Sequence, residues 1–287
     1  MTGSAHFGGV VGHIANKTAS ATLYTLRNIS ITGNLNYKLS NQYLLAGGLI
    51  GEIGLNATIL IENCSSDINI NVVEDDRTQG GGNNTRGFGG LIGKIGGSTT
   101  TINNCRTGGE ITADLSNNTA DARVLVAGGI VGDITDNSKV EIKNSYSTTD
   151  INLKTAMSGL VAGGGLVGRY ASTNTTNGGA KISDSAVLNE TINAQSSNGS
   201  NIIAHRVVGY HSGNGQVANN YALSTMMVNG SVVSDGTADS LDGLSKTAAE
   251  LKTKATWVSD LKFSEDNWDF GNITMDGYPT LRLKSSN

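Results

Sequence analysis

Apolar and polar residues alternate along most of this chain, and the alternation returns at a regular interval. In Glu110-Ile111-Thr112-Ala113 and in Asp150-Ile151-Asn152-Leu153 every second side chain is apolar. A period of two predicts strands and argues against helices. One set of core positions is Leu26, Ile61, Ile102, Ile142, Ile182 and Val217. A second set, Leu35, Ile70, Ile111, Ile151, Ile192 and Met226, follows it by nine residues in five copies and by ten in the copy at Ile182. A third stretch is the octet Ala46-Gly47-Gly48-Leu49-Ile50-Gly51-Glu52-Ile53. Its copies begin at 7, 46, 88, 127, 163 and, in worn form, about 204, a period near 40 that marks an array of stacked units. The pattern predicts an all-β fold: a right-handed parallel β-helix of about six coils, three short strands per coil, over residues 1–230. Like strands pair about 4.8 Å apart, so six coils make a rod of roughly 25–30 Å.

Two further columns follow the same register. Asn28, Asn63, Asn104, Asn144, Asp184 and Asn219 stand two residues past each aliphatic of the second strand. Asn tolerates the left-handed backbone of a sharp corner, and stacked Asn amides can bond one another as a ladder. Asp184 should interrupt that ladder. Gly12, Gly51, Gly93, Gly132, Gly168 and Gly209 close the octet strand. There either φ is positive or neighbouring chain approaches too closely for a Cβ. A phosphate-cradling loop would need these glycines to open a helix, and they lead into strands instead. The next position holds His13, Glu52, Lys94, Asp133, Arg169 and Tyr210. That variation across charge classes reads as a solvated position with no shared ligand. Strict alternation would turn Ile50, Ile92 and Val131 outward; a break at Gly51 buries them, which is the simpler reading.

The periodicity fades near residue 230, and residues 231–287 read as a C-terminal cap. Thr247-Ala248-Ala249-Glu250 fits a capping box that starts a short helix over about 247–254. Trp257, Phe263, Trp268 and Phe270 follow it, then a turn and a final strand around Thr280–Leu283. Aromatics gathered at the end of a β-helix are expected to seal its exposed core.

Composition narrows the role. With 39 glycines, one proline and 15% charged residues, but recurring Val, Ile and Leu, the chain is not disordered. A net charge of −4 without clustered Lys and Arg speaks against nucleic acid as a partner. No apolar run reaches the length of a membrane span, so no membrane insertion is expected. No leader pattern opens the sequence, and the first octet starts almost at once, at Phe7. An open coil needs a polar cap, so a longer parent chain, or one whose leader has been removed, is expected, with a first coil that caps itself as the lesser reading.

The chemistry-bearing residues are few. Cys64 and Cys105 share a register in adjacent repeats, where two buried thiols are expected and a strained disulfide is the alternative. No Cys/His spacing matches a metal site, so neither metal nor cofactor is expected. His6, His13, His205 and His211 lie near the two ends of the array and read as ordinary surface residues. The longest loop, from about Val73 to Gly87, carries Glu74, Asp75 and Asp76. Loops collected on one edge of a solenoid often line its binding face, which makes these acids the candidate ligand-binding residues. Catalysis by them on an acidic polysaccharide is the weaker reading, because the neighbouring coil offers no matching group.

Gly-Gly-Leu-Ile-Gly at 47–51 and 89–93, Gly-Gly-Ile-Val-Gly at 128–132 and Gly-Gly-Leu-Val-Gly at 164–168 resemble the GLUG-motif repeats of bacterial surface proteins. Such repeats occur in adhesin-like proteins and in non-catalytic parts of bacterial immunoglobulin A1 proteases. The closing Trp268-Asp269-Phe270 and Gly277-Tyr278-Pro279-Thr280-Leu281 resemble the ends of that family. His205-Arg206 replaces two glycines in the sixth copy and puts the regularity of that coil in question. The resemblance implies a non-catalytic, adhesin-like module on the bacterial cell surface, with a host glycan or extracellular protein as partner. A structural stalk of a larger secreted protein is the alternative. A groove of aromatic and polar residues along one face would favour glycan binding, and a featureless rod would favour the stalk.

Overall fold

The computed structural model describes residues 4–18, 22–39, 43–74, 85–117, 124–172, 179–199, 201–273 and 277–283. The chain is a parallel β-solenoid. Among the described residues its strands stack into three six-stranded sheets and one of twelve strands, and Trp268–Asp269 pairs with Thr280–Leu281 in a separate two-stranded sheet. Coil three shows the layout, with strands Thr85–Gly89, Ile92–Gly96, Thr99–Asn103, Arg106–Gly108 and Glu110–Leu115. The first aliphatic column is paired in register from Leu26 to Val217. The second column runs from Leu35 to Ile192 and ends at Val228. Met226, the residue expected there, is instead buried in the core two positions earlier. The sixth copy itself is longer between the two columns: Val228 stands eleven residues past Val217, where the earlier copies need nine or ten.

The octet is bent in its middle. In coil three one strand stops at Gly89 and the next begins at Ile92, so the corner falls at Gly90-Leu91 and not at Gly93. Gly93 and its equivalents therefore do not close the strand; they lie inside its second half. Close approach explains them: a Cβ on Gly93 would meet Gly51 O at 2.6 Å and Ala46 N at 2.7 Å. Both contacts are backbone and cannot yield. Ile50, Ile92 and Val131 follow the bend and are fully buried, as the simpler reading has it.

All six members of the Asn/Asp column have positive φ, between 48° and 56°. The left-handed corner is thus their shared task. The amide ladder is only partial. Asn63 Nδ2 donates to Asn28 Oδ1 at 2.6 Å, and Asn219 Nδ2 donates to Asp184 Oδ1 at 2.7 Å. Asp184 is therefore no break, because a carboxylate accepts from the amide above it. Asn104 and Asn144 bond the C-terminal segment: Asn104 Oδ1 accepts from Trp268 Nε1, and Asn144 Nδ2 donates to Leu261 O.

Those contacts correct the expected end cap. Residues 237–246 do cover the last coil. Strand Leu244–Lys246 pairs parallel with Tyr221–Leu223, and Val207 N donates to Leu241 O. The remainder turns back along the side of the solenoid. Thr247 and Glu250 form the expected capping box, though the helix is only Ala248–Leu251 and is followed by a wide turn at Thr256–Asp260. The chain then passes Asn144, Asn104 and, through Arg282 O, Asn63. Trp257, Phe263 and Trp268 are buried against this flank, around Tyr146. Their apolar area covers the corner rather than the open end.

The substitution His205-Arg206 leaves the sixth coil in register with the fifth. In inner coils the second glycine faces backbone; a Cβ on Gly165 would lie 2.4 Å from Arg206 O. The last coil has the C-terminal segment above it instead. The buried Arg206 guanidinium donates to Asp242 O, Gly243 O and Ser245 Oγ, and His205 Nδ1 lies 3.0 Å from Asp242 Oδ2.

Candidate functional site

The position after the close-packed glycine stacks into one column: His13, Glu52, Lys94, Asp133, Arg169 and Tyr210 are consecutive register partners. In-register neighbours about 4.8 Å apart feel each other's charge directly, so like signs destabilise and opposite signs stabilise. Here the signs alternate. Lys94 Nζ lies 3.6 Å from Glu52 Oε1. Arg169 grips Asp133 with two hydrogen bonds of 2.7 Å, and Asp133 is fully buried. The variation that read as a solvated position is thus a set of complementary pairs. The signal was in the sequence, but only when adjacent copies are compared by sign.

At the start of this column three donors converge. His6 Nδ1 is 3.2 Å and His13 Nε2 3.6 Å from Glu52 Oε2. Among the described residues these three side chains form a group whose donor atoms lie close enough together to share an ion. The two imidazoles meet edge to face, with centroids 4.9 Å apart. Burial lowers the His6 pKa, aided by the nearby His13 and Lys94 and against the pull of Glu52. Burial opposes the charge of Lys94 too, but its hydrogen bond to Tyr43 and the charges of Glu52 and Asp133 hold its pKa above the usual value. The sequence reading of His6 and His13 as unconnected surface residues is corrected here. His13 and Glu52 share a register, and the bend in the octet brings His6 against both.

A second feature is an open face on the sheet that contains Thr99–Asn103. Thr101, Glu141, Lys181 and Gln216 form one outward row, with Thr99 and Lys139 beside them. They line a shallow groove of about 510 Å³. No aromatic ring among the described residues contributes to it.

The acidic loop expected to bind a ligand falls largely outside the described residues. Glu74 ends strand Ser65–Glu74, while Asp75 and Asp76 lie outside the described residues. Cys64 and Cys105 are buried free thiols, as the first of the two readings had it. Burial pushes the Cys105 thiol well above its ordinary range. The column continues through Ser145 and Ser185. Each Sγ or Oγ reaches the carbonyl two residues earlier, as Cys105 does to Asn103 O and Ser145 to Lys143 O. The role is structural: a small donor that satisfies a carbonyl at the corner.

No protein-family model matches the chain, and no curated protein matches it. Among solved structures it is similar to a Bacteroides ovatus protein described as a "putative immunoglobulin A1 protease". The TM-score is 0.50 at 17% identity, over 96% of this chain and 87% of the other. The two share a fold. No helix among the described residues is long and apolar enough to cross a membrane.

Proposed function

We propose that this chain is a non-catalytic binding module of an exported, cell-surface bacterial protein, related to the GLUG-motif repeats. The observation that carries the reading is the open polar row Thr101, Glu141, Lys181 and Gln216 on a rigid stack. Hydroxyl, carboxylate, ammonium and amide groups repeat at the strand spacing of about 4.8 Å, which suits a hydroxyl-rich chain such as a host glycan or the surface of an extracellular protein. Recognition there rests on hydrogen bonds rather than on stacking, since no ring among the described residues lines the groove. The Bacteroides ovatus protein shares the fold at 17% identity and lends the reading no more than that. No peptidase chemistry is carried over from it. The test is a glycan array with a host-protein pull-down, using wild type and a Glu141→Ala, Lys181→Ala variant. Binding that the variant loses supports the module; no hit on either platform counts against it.

A spacer role is the second reading. It is favoured by the uncovered first coil, where Phe7 and Val10 are 39% and 46% exposed while their counterparts Phe88 and Leu91 are fully buried. An extended chain could add a strand at that edge. A stable, monodisperse monomer in concentrated solution would weigh against it.

A further inference from the structure

We propose that His6, His13 and Glu52 form a divalent-cation site, with Zn²⁺ the ion it takes. Two imidazole nitrogens and a carboxylate oxygen are a donor set that suits zinc, and zinc sites with three protein ligands leave a fourth position for water or an outside donor. The spacing fits. Zn–N and Zn–O bonds near 2.0–2.1 Å in tetrahedral geometry put ligand atoms about 3.4 Å apart. Here Glu52 Oε2 stands 3.2 Å from His6 Nδ1 and 3.6 Å from His13 Nε2, and all three donor atoms lie within 4.8 Å of one another. Small side-chain rotations bring the ion equidistant from them.

The surroundings orient the set. Lys94 takes the other carboxylate oxygen, Oε1, at 3.6 Å, and is itself fixed by a 2.9 Å hydrogen bond to the Tyr43 hydroxyl. That leaves Oε2 aimed at the histidines, as outer partners do in built metal sites. The ammonium also repels a cation, so the site selects a metal bound through imidazole rather than a hard cation held by charge alone. Beside the triad runs a shallow groove of about 390 Å³ lined by Asn16, Gly54, Leu55 and Asn56 together with His13 and Glu52. The fourth ligand of the ion would come from that side or from water. A bound ion would fasten the first coil to the second.

The experiment is a titration of the full chain with Co²⁺, read by its visible absorption, followed by displacement with Zn²⁺. The expected result is one equivalent bound, the intense spectrum of a tetrahedral centre, and a zinc-dependent rise in Tm. His13→Ala, at a ring that is 45% exposed and so dispensable for folding, and Glu52→Gln should each weaken binding by about tenfold or more. His211→Ala, at the far end, should change nothing. A wild-type chain that shows no cobalt spectrum and no thermal shift overturns the proposal. So does equal binding by wild type and His13→Ala.

Discussion

Trp268 donates its indole N–H to Asn104 Oδ1 at 3.1 Å across 164 residues of sequence. Both groups are buried, and the bond fixes the C-terminal segment to the third coil. Trp268→Phe keeps most of the packing but leaves the amide oxygen unpaired, which should cost about 1–3 kcal/mol. Trp268→Ala also opens a cavity and should cost about 3–5 kcal/mol. Urea denaturation of the two variants checks the order.

Asn144 occupies the left-handed corner at φ 48°. Asn144→Ala should destabilise by about 1–2 kcal/mol from backbone strain alone, plus the lost bond to Leu261 O. Asn144→Gly relieves the strain and loses only the bond. A Tm for the glycine variant as low as that for alanine would mean the conformation is not what selects Asn here.

Gly93 tests the close packing. Gly93→Ala places a methyl against backbone on both sides and should cost several kcal/mol, of the order seen for severe overpacking. Gly199→Ala is the comparison: its φ is +65°, but nothing lies within 4 Å of the added carbon. Its cost should stay near 1 kcal/mol, the left-handed penalty. Thermal melts of both distinguish crowding from conformation.

Arg169→Met removes the partner of the fully buried Asp133. Leaving a buried carboxylate without its two hydrogen-bond donors, with only the neighbouring Lys94 charge beside it, should cost up to about 3–5 kcal/mol. The double variant Arg169→Met, Asp133→Leu should recover much of that, since replacing a buried pair by apolar groups is often neutral. Failure of the double variant to recover would show that the pair does more than neutralise itself.

Acid should loosen the top of the solenoid. Burial raises the Asp242 pKa, but the hydrogen bonds from His205 and from the Arg206 N–H outweigh it and hold the carboxyl below its usual value. Because the folded pKa is lower than the unfolded one of about 3.9, the stabilisation is complete above that value and is lost as pH falls through the folded pKa. Tm should therefore drop on acidification below about pH 4. Asp242→Asn should start lower at neutral pH and fall less.

What could be read in the sequence was whatever repeats. Leu26 to Val217 and the Asn corner column announce themselves because every coil faces the same steric problem. The bend at Gly90-Leu91 was hidden because glycines mark both the corner and the close approach, and the sequence does not say which does which. The charge column escaped because its rule is complementarity between neighbours such as Asp133 and Arg169, not identity. The His6, His13 and Glu52 cluster was half legible: His13 and Glu52 share a register, but only the bend adds His6. The path of Trp257 and Trp268 was out of reach, since nothing in that aperiodic segment states which surface it covers.

That path changes how the molecule comes apart. A bare solenoid is coupled only between adjacent coils and can fray inward from either end, one unit at a time. Here the last part of the chain touches coils laid down 117 to 219 residues earlier. Opening any middle coil therefore disturbs a segment shared with several others, so loss of structure becomes concerted. The same sharing makes folding wait for the end of the chain, with the long loop closures that slow it.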